Sequence, residues 1–234
     1  MYEPQDLELF KEPLSEEVLQ EPVKPQIKTI VFDFGGVLFT DGSLVAIKKI
    51  QRAFKLKECD TEDIMDCFSN EPGAIGNLIR LGKISLEEFE DGFAERLGLT
   101  DSQKRTLRHH WFSSYVPNYL MKKVVKKLAK DYNLIAFSGN VRERIEYLRK
   151  RFRKMFKYFD DEVYSFDYGQ QKRNIEFYEI LLDHLDCKPE EALLIDDSPR
   201  NIRIARSIGM HGIRYSYTEQ FLDELKDYGI ELDL

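Results

Sequence analysis

The sequence predicts an α/β protein, a three-layer α/β/α core around a parallel sheet, interrupted early by an all-helical insertion. Three observations lead there. The apolar run Ile30-Val31-Phe32 stops abruptly at Asp33 and the glycines Gly35 and Gly36, as a buried parallel strand does at the carboxyl edge of its sheet. Residues 43–130 then carry helical spacing almost throughout. From residue 134 onward, short apolar runs alternate with amphipathic segments, the order expected of strands and helices packed into a parallel sheet covered on both faces. The expected division is an acidic N-terminal extension (1–26), a core domain built from 27–42 and 116–234, and a helical cap domain (43–115) lying over the sheet edge.

Taken in order, residues 1–26 hold Pro4, Pro13, Pro22 and Pro25 among many acids, which predicts a surface extension with at most a short helix at Ser15–Leu19. The first strand covers 27–33. In the insertion, Leu44, Ile47 and Ile50 begin one amphipathic helix, and 61–68 form a second behind a cap at Asp60 or Thr61. Ser85-Leu-Glu-Glu is a capping box ahead of Phe89, Phe93 and Leu97. Helices over 100–111 and 118–130 complete the section. Strands are then expected at 134–137, 163–165, 192–195 and 213–215, with helices at 141–151, 175–185, 199–208 and 218–227, and Gly209 placed to end the third of these.

Composition narrows the function. With 42% apolar residues the chain can bury a sizeable core, and its formal net charge of −7 argues against a nucleic-acid binder. No apolar stretch approaches the roughly 20 residues that span a bilayer, and the acidic N-terminus lacks a signal-peptide core. Cys59, Cys67 and Cys187 form no CxxC pair, which fits reduced thiols in a cytoplasmic protein with neither a disulfide framework nor a zinc site.

The chemistry gathers at strand ends. Asp33, Ser138 and the pair Asp196-Asp197 each follow an apolar run, and Lys172 precedes a helix in GQQKRN. Carboxyl ends of parallel strands share one edge, where ligands bind in open α/β sheets. Carboxylates brought together there repel unless a cation joins them, and an all-oxygen set favours Mg²⁺. Lys172 would balance a phosphate or carboxylate, while Ser138 and the backbone N–H groups after it, at Gly139 and Asn140, would hold an anionic oxygen at a helix N-terminus. Gly36 lets the backbone come close to that ligand. Each residue also has a plainer role. Asp33 suits a turn, Ser138 or Asp196-Asp197 suit helix caps, and Lys172 suits a solvated surface as one of 35 basic residues. Their joint placement argues for a site.

These segments together resemble the haloacid dehalogenase-like hydrolase superfamily, in the branch with a helical cap after the first motif. The carriers are FDFGGVLF with Asp33, FSGN with Ser138, GQQKRNIEFY with Gly169, Lys172 and Tyr178, and LLIDDSPRNIRIARSIGM with Asp196, Asp197, Asn201, Ala205 and Gly209. GKISLEEFEDGFAERLGL resembles a recurrent cap segment. The resemblance implies a Rossmann-like core and an Asp33 nucleophile that attacks phosphorus. It implies Mg²⁺ held by Asp33, the Gly35 carbonyl, Asp197 and, through water, Asp196. It gives Ser138 and Lys172 the phosphoryl oxygens of a small phosphorylated substrate. Membrane or nucleic-acid partners are not expected, and the chain is expected as a monomer or homodimer.

Departures from the family pattern divide the functional reading. Phosphatases of this family usually carry a second Asp two residues after the nucleophile as general acid and base, and here that position is Gly35. Arg173 replaces the usual Pro after the motif lysine, and Gly139 a frequent Asn. The leading expectation is a Mg²⁺-dependent phosphatase. The alternatives are a binding or regulatory protein weakened at Gly35, and a metal-free 2-haloacid dehalogenase, against which the Asp196-Asp197 pair speaks. Two further features stand outside the motifs. Residues 142–157 hold eight Lys or Arg against two Glu, read as a solvated face or as a dock for the acidic tail. Trp111, beside His109 and His110, is expected in the cap core rather than facing substrate.

Overall fold

A computed structural model of the protein describes residues 24–56 and 60–233, so the acidic extension up to residue 23, its expected helix at Ser15–Leu19 and its expected docking on the basic stretch lie outside the described residues. The chain runs β1 (Thr29–Phe32), α1 (Gly42–Phe54), α2 (Asp60–Phe68), α3 (Ile75–Arg80), α4 (Leu86–Leu97), α5 (Asp101–Phe112), α6 (Tyr119–Leu128) and β2 (Asn133–Ser138). It continues with α7 (Arg142–Arg151), α8 (Arg153–Phe156), β3 (Asp161–Tyr164), α9 (Ser165–Tyr168), α10 (Ile175–Asp183), β4 (Ala192–Asp196), α11 (Pro199–Ser207), β5 (His211–Arg214) and α12 (Thr218–Leu225). The five strands form one parallel sheet in the order β3-β2-β1-β4-β5.

Alternation along β1 divides the core. Ile30 and Phe32 face one side with Leu134, Ala136, Leu193 and Ile195, packed by Leu128, Phe156 and Phe221. Val31 faces the other with Ile135, Phe137 and Leu194, packed by Phe177, Tyr178 and Ile202. Side chains of period two with both faces covered explain why these strands read as continuous apolar runs. In register, Phe32 pairs with Ala136 on one side and Ile195 on the other, which brings the ends of β1, β2 and β4 to one edge.

Helices α1–α5 hold a separate apolar cluster. Trp111 is fully buried there, stacked on Phe89 at 4.6 Å between ring centroids, with Phe68 and Phe93 around it, as expected. Truncating a side chain of this size in such a core costs about 3–5 kcal/mol. The capping box forms as read, with Ser85 N–H donating to Glu88 Oε2 at 2.7 Å and Glu88 N–H to Ser85 Oγ at 3.2 Å. Helix α3 is an element of the insertion that periodicity did not resolve, as the short α8 and α9 are in the core. It is six residues long, starts after Pro72-Gly73 and carries a glycine inside it.

Two chain segments connect the helical insertion to the core, and they bind each other. Thr40 N–H donates to Val116 O at 2.9 Å and Asn118 N–H to Leu38 O at 2.8 Å, while Thr40 Oγ1 donates to Ser114 O at 2.9 Å. This paired hinge sets Tyr115 against the loop that follows β1.

The basic stretch is not a plain solvated face. Arg149 pairs with Glu162 at 2.6 Å, Arg142 pairs with Asp167 at 2.8 Å, and Arg144 is fully buried. Position in a charged run conceals a residue that turns inward every helical turn.

Candidate active site

The site lies at the carboxyl edge of the sheet, under the cap. Asp33 follows β1, and its N–H donates to Ile195 O at 3.0 Å, which continues the ladder and fixes the carboxylate beside the end of β4. Lys172 reaches between two carboxylates, with Nζ 3.0 Å from Asp33 Oδ1 and 2.5 Å from Asp196 Oδ2. Its stem crosses Phe137, whose ring centroid lies 4.9 Å from Nζ. Asp196 is fully buried and saturated with donors. Ser198 N–H reaches Oδ1 at 2.8 Å, and Asn201 Nδ2 lies 3.0 Å from both oxygens. Asp196 is not the cap of α11, whose N-cap is Ser198; it ends β4, accepts from the Ser198 N–H and holds the lysine pair at the same time.

Asp197 completes the acidic group. One ligand-capable oxygen from each of Asp33, Asp196 and Asp197 lies within 4.8 Å of the others. Gly36 makes this possible. Its φ is +81°, and a Cβ there would lie 2.2 Å from Asp197 Oδ2, so only glycine lets the loop and the carboxylate meet. Burial above all, then the repulsion of Asp196 and Asp197, pushes Asp33 up from 3.8 to about 7 against the pull of Lys172. Burial and Asp196 raise Asp197 as well. Burial by itself lowers Lys172, but Asp196 and Asp33 more than reverse this and hold the ammonium above its usual range. Three oxygen donors with one lysine among them form a set short of positive charge, which suits a hard divalent cation.

Above this floor is a cleft of about 420 Å³. Its core wall includes Asp33, Gly35, Ser138, Gly139 and Lys172, as the sequence placed them. Asn140 does not join them. Its N–H donates to Ser165 Oγ at 3.2 Å, and its side chain accepts from Val141 N–H and from Arg144 Nε at 2.7 Å, so its expected part in holding an anion is taken up by the structure itself. Ser138 is not the cap of α7, whose N-cap is Val141.

The cap wall was not visible in the sequence. Asn77 and Arg80 of α3, with Tyr115 of the hinge, close the cleft. Asn77 Nδ2 is buried without a partner. Arg80 donates to Gly76 O at 2.6 Å and Phe68 O at 3.2 Å but pairs with no carboxylate among the described residues, and burial followed by Arg144 lowers it to about 10. The missing signal was α3 itself, too short to show a period.

Comparison with known sequences fixes the family. The pattern of the haloacid dehalogenase-like hydrolases matches residues 27–209. The chain belongs to this family. This haloacid dehalogenase-like hydrolase is 32% identical over 171 residues to an uncharacterized protein of Dictyostelium discoideum, a match that covers 70% of this chain and 69% of the relative. It is 25% identical over 189 residues to a D-ribitol-5-phosphate phosphatase of Bacteroides thetaiotaomicron, covering 78% of this chain and 89% of that one. Among solved structures, its fold is similar to that of a family enzyme of Bacteroides thetaiotaomicron in complex with magnesium and inorganic phosphate. The TM-score is 0.67 at 21% identity, over 80% of this chain and 93% of that one.

Proposed function

We propose that this hydrolase is a Mg²⁺-dependent phosphatase that removes phosphate from a small phosphorylated metabolite through an aspartyl-phosphate on Asp33. The observation that carries the reading is Lys172, held 3.0 Å from the Asp33 carboxylate and 2.5 Å from Asp196 on the floor of the cleft. The phosphatase relatives and the neighbour that binds magnesium and phosphate support it.

The carboxylates of Asp33, Asp196 and Asp197, with the Gly35 carbonyl, would hold the cation. Bound there, it neutralises charge on the transferring phosphoryl group. Asp33 is the nucleophile, held rigid by the ladder bond to β4 and kept out of bulk water. Lys172 orients Asp33 and offers positive charge to the phosphoryl oxygens, and Ser138 with the Gly139 backbone borders the same space. Asn201 and Ser198 fix Asp196, so the acidic set does not rearrange as charge moves. Domain boundaries follow this division of labour: 27–42 and 116–234 supply the chemistry, and 43–115 covers it.

Hydrolysis of p-nitrophenyl phosphate with Mg²⁺, with EDTA and by Asp33→Asn tests the reading. Turnover that requires both Mg²⁺ and Asp33 supports it. Turnover that survives Asp33→Asn, or none above that background, removes it.

A further inference from the structure

Expelling an alcohol from a phosphomonoester requires a proton on the bridging oxygen, and Asp33 cannot supply it while attacking. Gly35, two residues further on the loop, has no side chain. Few of the groups that line the cleft can give a proton. Lys172 is clamped between two carboxylates. Glu71 is at the mouth, its side chain 77% exposed and facing Arg173 at 3.6 Å. Arg80, Arg173 and Arg200 keep their protons. Ser138, Ser165 and Ser198 are alkanols, and Ser165 Oγ already donates to Arg80 O at 2.6 Å. Asp41, at the start of α1, is occupied as a helix cap and does not line the cleft. Tyr115 remains.

Its position is specific. A Cβ built on Gly35 would lie 3.5 Å from the Tyr115 hydroxyl oxygen and 3.9 Å from Cε1, so the phenol hydroxyl borders the place where a side chain at position 35 would begin. Gly42 clears room for the ring, since a Cβ there would come within 1.8 Å of Tyr115 Cδ2. The ring is seated between Phe39, at 6.1 Å between centroids, and the Arg144 guanidinium, 4.3 Å above it.

Arg144 supplies an independent observation. It is fully buried, makes no salt bridge among the described residues, and leaves both terminal nitrogens without a hydrogen-bond partner. An unpaired buried cation is costly, and a fold that keeps one has put positive charge where negative charge forms. Tyr115 is the group that the Arg144 guanidinium lies over, 4.3 Å from the ring centroid, and it would become negative on giving up its proton. Its phenolate would favour the charged forms of both Arg144 and Arg80.

We propose that the Tyr115 hydroxyl is the proton donor to the leaving alcohol, taking the part of the side chain that Gly35 lacks, with Arg144 and Arg80 stabilising the phenolate. The proposal rests on the phosphatase reading. In the first step the Asp33 oxygen–phosphorus bond forms as the ester oxygen–phosphorus bond breaks, and the Tyr115 proton passes to the departing ester oxygen. In the second, water attacks phosphorus and gives a proton to the phenolate, the Asp33–phosphorus bond breaks, and inorganic phosphate leaves with Tyr115 neutral again.

The test compares wild type and Tyr115→Phe, both with Mg²⁺, on p-nitrophenyl, phenyl and p-methoxyphenyl phosphate, esters alike in shape but with increasingly poor leaving groups. General acid catalysis is worth about 10²–10⁴-fold where it is needed, so the loss in kcat/KM is expected to grow at least tenfold from the first ester to the last. An equal loss on all three, as a packing role would give, overturns the donor and leaves the phosphatase standing. So does no loss on any. A wild type without Asp33-dependent turnover of p-nitrophenyl phosphate removes the phosphatase reading, and the donor falls with it.

Discussion

The two walls of the cleft treat charge in opposite ways. On the core wall the central charges are paired: Lys172 touches Asp33 and Asp196, and Asp196 has Ser198 and Asn201 besides. On the hinge and cap wall, Arg80 is buried and Asn77 keeps an unused donor, and behind Tyr115 the buried Arg144 of α7 backs that wall; neither arginine meets a carboxylate among the described residues. A paired set is finished before substrate arrives and holds its geometry through the reaction. An unpaired set is stabilised by charge that exists only when the site is working, which is the arrangement that favours a transition state over a ground state.

The strongest way to break the comparison is to unpair the core wall. Lys172→Met leaves Asp33 and Asp196 facing each other in a buried site and is expected to destabilise the protein by about 3–5 kcal/mol in EDTA, measured by urea unfolding. A loss below about 1 kcal/mol would mean that the pairing is not structural. Next in size is Gly42→Ala. The new methyl would press on a Tyr115 ring backed by Arg144, for an expected loss of about 1–3 kcal/mol in the same measurement.

Asp33→Asn is expected to act in the other direction. The folded pKa of Asp33 is raised from 3.8 to about 7, so between these values the folded state binds more protons than the unfolded one, and stability falls as pH rises through that window. The amide removes this penalty. In EDTA the variant should melt several degrees above wild type at pH 8, and the gain should vanish near pH 4. An equal gain at both pH values would show that Asp33 does not titrate in that window.

The smallest effect sharpens the contrast most. Arg144→Met replaces an unpaired buried cation with an apolar chain of similar length, and stability is expected to change by less than about 1 kcal/mol, since lost stacking offsets recovered desolvation. Differential scanning calorimetry beside Lys172→Met decides it. Equal losses in the two variants would erase the distinction between the walls.

Legibility followed the same division. Asp33, Ser138 and Asp196-Asp197 could be read because each ends an apolar run, and the ends of parallel strands must converge. Lys172 could be read from its motif, and the capping box at Ser85 from four adjacent residues. Asn140 was misplaced because sequence shows that an N–H is near a helix start and not that Ser165 already accepts it. Arg144 was hidden among surface charges. Helix α3 was too short to carry a period, and Asn77 and Arg80 were lost with it.

By itself, then, the sequence determined the layer architecture, the five strands, the helical insertion and the acidic floor of the site, because these follow from local periodicity and from what happens where a buried strand ends. Tertiary structure alone decided the opposite wall. Tyr115 matters because Gly42, distant in sequence, leaves empty space that its ring fills, because its hydroxyl borders Gly35, and because Arg144 arrives over it from α7. Absence of a side chain reads in a sequence only as flexibility, and what occupies the vacated space is settled by packing.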